Sequence, residues 1–329
     1  MTIVCMGELL MDMFPAEEGA DFAGVSAFLP VPGGAPANVA VAASRLGAAA
    51  AFMGKVGDDP FGRRLASVLR ENGVDTRGLR FDQEARTTLN FLTLPTPQSY
   101  ECLFYRNPGA DTRFTVADIS VDLLRETAIF HFGSVSLTEE PCRSATLEAA
   151  RLARASGAIV SFDVNYRPTL WRQEGEALPQ LRRAAAAAHI VKVNESELRL
   201  LASGDEPCEN GGAVLDLGPQ MLIVTLGGEG CALVRRSGCT PFAGFRVPVV
   251  DATGCGDAFV GAWLVQVASL LGFSPADRAA KLECLPDESL ASVCRFANAA
   301  GALTAMKKGV IPALPTRSHV LELLREAGG

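Results

Sequence analysis

The chain has 329 residues, 48% hydrophobic and 20% charged, with a formal net charge of -7. That length allows one large or two modest domains with a sizeable core. The negative balance and the lack of any basic run exclude a nucleic-acid or anionic-membrane surface as the working face.

In chain order, Thr2–Gly7 is a short β-rich run that reads as a buried strand, and Leu9–Phe14 continues extended with Asp12 among apolar neighbours. An Asp there is either turned to solvent or placed for a ligand, because a buried unpaired carboxylate is costly. Residues 19–32 read as a loop with a short strand near Ala27–Val31. Gly33-Gly34-Ala35-Pro36-Ala37-Asn38 then runs into a helix that stops at Gly47. Pro suits the first turn and Gly the C-terminal end. Asn38 therefore sits in a first turn beside a glycine pair, a pattern that also serves simple capping.

Ala50–Val56 reads as a strand, and Gly57-Asp58-Asp59-Pro60 opens a helix with Phe61, Leu65, Val68 and Leu69 on one face. Thr87–Leu94 and Tyr100–Tyr105 are β-like runs joined by Pro95-Thr96-Pro97-Gln98-Ser99, with no helix between them. This break in the β–α rhythm predicts a small sheet apart from the main one. The rhythm then resumes: strand Ala128–Val135, helix Pro141–Ser156, strand Ile159–Val164, an Ala-rich helix Glu176–Ala188 and strand Ile190–Val193. A helix opened by Asn194-Glu195-Ser196-Glu197 follows, then strands Met221–Leu226 and Cys231–Val234 separated by Gly227-Gly228-Glu229-Gly230. Helices Asp257–Leu271, about Leu290–Met306 and near His319–Arg325 complete the chain. Strands alternating with helices imply a parallel sheet covered on both faces.

The nine cysteines (5, 102, 142, 208, 231, 239, 255, 284 and 294) are scattered, odd in number and form no Cys-x-x-Cys. They read as reduced thiols of a cytosolic protein, not a disulfide or zinc framework. No basic region precedes an apolar one at the N-terminus, so no signal peptide is expected. The uncharged run Ala258–Ala276 mimics a membrane span, but Gln266, Ser269, Ser274 and Pro275 interrupt it. A helix apolar all round also occurs in the middle of large soluble proteins.

Three stretches carry chemistry. In Val249–Gly261 the glycines Gly254 and Gly256 precede an apolar helical run, with Asp257 at the junction. Unpaired first-turn amides and the positive helix end make an anion site with a carboxylate at its rim. That suits phosphoryl transfer with Asp257 as base; a glycine turn capped by an Asp is the plainer alternative. Asn194 and Glu197, three apart at a strand-to-helix junction, could hold the water shell of Mg²⁺, or form an ordinary capping box. No Gly-x-x-x-x-Gly-Lys-Ser/Thr occurs, and no Gly-x-Gly-x-x-Gly follows the first strand, which argues against Walker-A and Rossmann nucleotide sites. With only three histidines, His131 and His189 in or beside strand runs and His319 in the last helix, His-based metal or triad chemistry is not expected.

Gly33–Asn38 early and Asp251-Ala252-Thr253-Gly254-Cys255-Gly256-Asp257 late resemble the two signatures of the ribokinase-like (PfkB) sugar kinases, and Asn194-x-x-Glu197 resembles that family's magnesium and phosphate motif. Gly7–Asp12, Gly54–Asp59, Phe104–Pro108, Asp163–Pro168 and Lys307–Pro312 are similar to fructokinases within it. The resemblance covers nearly the whole chain. It implies a single 1–329 domain: a three-layer α/β/α sandwich with a mostly parallel central sheet, and a small β lid from segments about 10–31 and 87–106. It implies an ATP-dependent kinase acting on a primary hydroxyl of fructose, with 2-keto-3-deoxygluconate or another sugar as alternatives, and an inactive sugar-binding regulator as a further one.

By the same resemblance, Asp257 is the base and the amides of Gly254, Cys255 and Gly256 form the anion hole. Asp12, Gly33, Gly34 and Asn38 hold sugar hydroxyls, with Arg106 and Arg167 closing the pocket. Asn194, Thr225, Gly227, Gly230 and Asn298 contact ATP, and Asn194 and Glu197 meet Mg²⁺ through water. Asp251 and Thr253, with backbone near Lys307 and Gly309, make a monovalent-cation (K⁺) site. Cys255 departs from the common Ala, Ala252 from a common Thr, and Ala313 from a hydroxyl that would meet the monovalent ion. The exposed lid sheet, with Leu89, Phe91, Leu92, Leu94, Leu103, Phe104 and Tyr105, is expected to pair two copies into a cytoplasmic homodimer.

Overall fold

The structure is a computed structural model that describes residues 2–327 apart from residues 18, 20, 97, 98, 174 and 273, and of the side chains of residues 94–96, 99 and 100 nothing is described. Pro97 and Gln98 at the expected hairpin turn, and the side chain of Leu94, therefore lie outside the described residues.

Strand β1 (Thr2–Met6) enters the main sheet; β2 (Leu10–Pro15) and β3 (Phe28–Gly33) form an antiparallel pair that leaves it. Helix α1 (Ala35–Arg45), β4 (Ala49–Gly57), α2 (Pro60–Glu71) and β5 (Val74–Asp82) return to it, and β6 (Leu89–Thr96) and β7 (Ser99–Tyr105) leave again as a hairpin. Then follow α3 (Val121–Glu126), β8 (Thr127–Gly133), α4 (Cys142–Ala155), β9 (Ile159–Asp163), α5 (Ala177–Ala187), β10 (Ile190–Asn194), α6 (Glu195–Ala202), α7 (Pro207–Leu215) and β11 (Met221–Thr225). Strands β12 (Gly230–Arg235) and β13 (Gly238–Ala243) precede α8 (Cys255–Leu271), α9 (Arg278–Glu283), α10 (Asp287–Ala305) and α11 (Arg317–Glu326).

The nine-stranded sheet has the order β13-β12-β11-β10-β9-β8-β1-β4-β5, parallel except that β12 pairs antiparallel with both its neighbours, β11 and β13. Its strands send alternate residues to opposite faces. Ile3, Cys5, Phe52, Ile129 and Ile190 pack on one side with α1, α2, α8 and α10; Val4, Met6, Phe130, Phe162 and Val191 pack on the other with α3 to α7. Strands buried on both faces read as continuous apolar runs, which is why the sequence marks them. The result is a three-layer α/β/α sandwich, with a separate four-stranded sheet β3-β2-β6-β7.

Five elements escape the sequence reading: β5, β13, α3, α7 and α9. Both missed strands are sheet edges, where charge and proline are tolerated: β5 carries Asp75, Arg77 and Arg80, and β13 carries Pro241. Phe61, expected on the inner face of α2, is 37% exposed while Leu65 and Leu69 are fully buried. The reduced-thiol expectation is corrected at one place. Cys208 on α7 and Cys239 on β13 are joined by a disulfide, with Cα atoms 5.2 Å apart; the other seven cysteines are free. Their separation of 31 residues hides a contact that exists only because α7 packs on the β12–β13 edge. His131 and His189 are core residues, 1% and 5% exposed, and burial lowers them to about 3 and about 4. Helix α8 ends at Leu271, and among the described residues no helix is long and apolar enough to cross a membrane.

Candidate active site

A cavity of about 960 Å³ lies between the C-terminal ends of β9 and β10, the start of α8 and the small sheet. Parallel sheets place ligands at this end of their strands. Register fixes which side chains of the small sheet face it: Asp12 lies opposite Asn90, Asn90 opposite Phe104, and Leu92 opposite Cys102, and all five line the cavity. Leu92 and Phe104 thus face inward and not toward a second copy.

Gly254 caps α8 with φ 80°, and a Cβ there would stand 2.3 Å from Val310 Cγ1, so both backbone and space require glycine. The helical ladder begins with Ala258 N–H donating to Gly254 O at 2.9 Å. Gly256 and Asp257 therefore have no acceptor upstream in the helix. Cys255 N–H, expected in the anion hole, instead donates to Ala252 O at 3.3 Å. Asp257 lies in the first turn and accepts from Asn38 Nδ2 at 2.8 Å, so the early and late signatures meet. Withdrawal from bulk water pushes Asp257 up to about 7; the Asn38 bond opposes this, Asp163 adds to it, and Lys192 and Arg167 oppose it. A carboxyl poised near neutrality suits a general base.

At the other end, Asp12 packs so tightly on Gly33 that a Cβ on Gly33 would stand within 2 Å of Asp12 Oδ2, and one on Gly34 would stand 2.4 Å from Glu8 O. The glycine pair is thus a requirement of close approach. Glu8 Oε1 accepts from Ala35 N–H at 2.9 Å, while its Oε2 has no hydrogen-bond partner among the described residues. The same holds for Asn38 Oδ1 and Asn90 Oδ1, and all three residues line the cavity. Burial raises Glu8 to about 7 and Asp12 to about 6; for Asp12, the Asn90 bond and the Arg167 charge pull the other way.

Arg167 lines the cavity, but Arg106 does not. Arg106 is 4% exposed and spends its guanidinium on Asp111 (2.6 and 2.7 Å), Thr138 Oγ1 and Val135 O. It braces the chain after β7 rather than closing the pocket. Thr225, Gly227, Gly230 and Asn298 also lie outside the cavity lining. Thr225 ends β11 beside Asn194, and Asn298 donates to Phe242 O and Ala243 O at 3.1 and 3.0 Å, which fastens the end of β13 to α10.

Asn194 and Glu197 form a full capping box: Asn194 Oδ1 accepts from Glu197 N–H at 2.9 Å, and Glu197 Oε2 from Asn194 N–H at 2.8 Å. Glu197 Oε1 also accepts from Tyr166 N–H at 2.8 Å. Asp251 accepts from Thr253 N–H and Gly309 N–H at 2.9 and 3.0 Å, so the two segments expected at the monovalent ion are adjacent; Lys307 is exposed.

Sequence reasoning gave no role to Glu8, Asn90, Asp163 or Lys192, yet all line the cavity. Lys192 Nζ and Asp163 Oδ1 pair at 3.2 Å, both side chains almost fully buried. Burial pulls Lys192 down, but Asp163, Glu197 and Asp257 more than offset it. A lysine inside the apolar run Ile190–Val193 was the available signal.

The pfkB family carbohydrate kinase description matches residues 1–317. Fructokinase-1 of Zea mays is 46% identical over 328 residues, covering 99% of this chain and 98% of that protein. A fructokinase from Xylella fastidiosa solved with bound ATP superposes with a TM-score of 0.90 at 37% identity, over 100% of this chain and 99% of that one. A double-mutant fructokinase from Vibrio cholerae O395 in fructose, ADP and potassium ion bound form gives 0.85 at 31%, over 98% of each chain.

Proposed function

The chain belongs to the pfkB family of carbohydrate kinases, and from that premise we infer that it transfers the terminal phosphate of ATP to a primary hydroxyl of fructose. One observation carries the substrate class. Glu8, Asn38 and Asn90 line a single cavity and each carries a buried oxygen with no partner among the described residues, and each such oxygen needs a donor. Sugar hydroxyls supply donors; a carboxylate supplies none. The lining holds Glu8, Asp12, Glu17, Asp163, Asp251 and Asp257 against Arg167, Lys192 and Lys308, and Lys192 is already paired with Asp163. With Arg106 engaged elsewhere, the case for a sugar acid weakens further.

We assign Asp257 to take the hydroxyl proton as the sugar oxygen attacks phosphorus. The new O–P bond forms as the bond to the departing ADP oxygen breaks, and the first-turn amides at Gly256 and Asp257 meet the charge that develops. Asp12 and Asn38 accept and donate to sugar hydroxyls, and Arg167 balances the carboxylates around them. Thr225 and the Gly227–Gly230 turn, which continue the same sheet end, are assigned to ATP.

Among the described residues no group of three His, Cys, Asp or Glu could cage a metal. That fits Mg²⁺ held by nucleotide phosphates and waters, with Glu197 reaching it only through water; the ion would neutralise phosphate charge. Asp251 with the backbone around Gly309 fits a monovalent ion, and a buried Ala313 offers it no hydroxyl. We assign the chain to the cytoplasm on its seven free cysteines; the Cys208–Cys239 bond is the feature that argues otherwise.

The test is kcat/KM for fructose and for 2-keto-3-deoxygluconate under the same Mg²⁺–ATP conditions. Fructose is expected to be preferred. A ratio favouring the acid overturns the substrate and leaves the kinase standing.

A further inference from the structure

We propose that Asn90 reads one hydroxyl of the sugar directly, as the second half of a hook whose first half is Asp12; this rests on the carbohydrate kinase reading above. Asn90 sits on β6 opposite Asp12 of β2, in a parallel register that puts both side chains on the inner face of the small sheet. It is 8% exposed and lines the cavity. Its Nδ2 donates to Asp12 Oδ1 at 2.8 Å. An ionised carboxylate only accepts, so this bond fixes which way the carboxamide points. The orientation leaves Oδ1 buried, with no partner among the described residues, in a residue that lines the cavity.

An amide oxygen held in that way is an acceptor with a set direction, and leaving it unmade in the complex is costly. Asp12 packs against Gly33, whose lack of a Cβ leaves room for Oδ2 there, while Oδ1 is held by Asn90. The bond between the two side chains therefore makes Asp12 Oδ2 and Asn90 Oδ1 neighbouring acceptors. Two adjacent hydroxyls of a sugar match such a pair. A substrate with a carbonyl or a methylene at the position facing Asn90 would leave its oxygen unpaired, and the site would reject it.

The experiment is steady-state kinetics of the full chain and of Asn90→Ala with fructose and each of its monodeoxy analogues. For the wild type, one analogue is expected to lose about 5–100-fold in kcat/KM through the oxygen it strands. Asn90→Ala should fall by a similar factor on fructose and no longer distinguish fructose from that analogue, while its discrimination against the others stays. A purely structural role for Asn90 lowers activity on every sugar alike and keeps the wild-type pattern, which overturns the assignment. Asn90→Ser, whose hydroxyl is too short to reach both Asp12 and the sugar, gives the same comparison if the alanine variant does not fold. No turnover of fructose by the wild type overturns the proposed function, and this assignment with it. Turnover with unchanged discrimination in the variants overturns this assignment alone.

Discussion

The acid-base behaviour of Asp257 follows from its neighbours. Loss of bulk water raises it to about 7, and the hydrogen bond from Asn38 is the largest opposing effect. A base acts only when deprotonated, so kcat/KM should fall below that pH, by about tenfold per unit. Asn38→Ala removes the donor that favours the charged form, so the acid limb should move to higher pH; an unmoved limb counts against this coupling. Asp257→Asn keeps the size and a partner for Asn38, and should leave the fold intact while costing about 10²–10⁴-fold in turnover. Activity within a few fold of the wild type would remove Asp257 from the role.

At the scale of elements, α6 is held by its first turn. Glu197 closes the capping box and also accepts from Tyr166 in the chain that leaves β9. Both oxygens are spent on backbone donors in a residue only 3% exposed. Glu197→Gln turns one acceptor into a donor that faces another N–H, at a cost of about 1–3 kcal/mol. The melting temperature should drop by several degrees, read by calorimetry. If Glu197 also orients water around Mg²⁺, the metal concentration for half-maximal rate should rise as well. A lower melting temperature with an unchanged Mg²⁺ titration restricts Glu197 to the cap.

For the molecule as a whole, the small sheet has two faces and the cavity uses one. The other carries Phe28, Phe91 and Tyr105 in edge-to-face contact, with Leu103 beside them. Tyr105 is 62% and Leu103 49% exposed. A sheet of this size is poorly stabilised with an apolar face in water, which supports the homodimer we propose through it. Sedimentation at micromolar concentration should show a dimer that Tyr105→Asp weakens; a monomer throughout counts against pairing. The proposed lid would then be buttressed by its partner.

The sequence alone determined the layered α/β architecture. Strands buried on both faces must be apolar throughout, and helices between them start at Pro or a capping residue and stop at Gly. It also marked Asp257, Asn38 and the Asn194–Glu197 cap, because a helix start is local and its requirements lie within a few residues. The edges β5 and β13 stayed hidden, since a strand buried on one side obeys no such pattern. Only the tertiary structure set Asn90 beside Asp12, 78 residues away, paired Lys192 with Asp163 and joined Cys208 to Cys239. It also turned Arg106 from the pocket to Asp111. Such contacts depend on sheet register and helix packing, which bring distant residues together by burying apolar surface elsewhere, and the polar side chains themselves carry no local record of the partners they will meet.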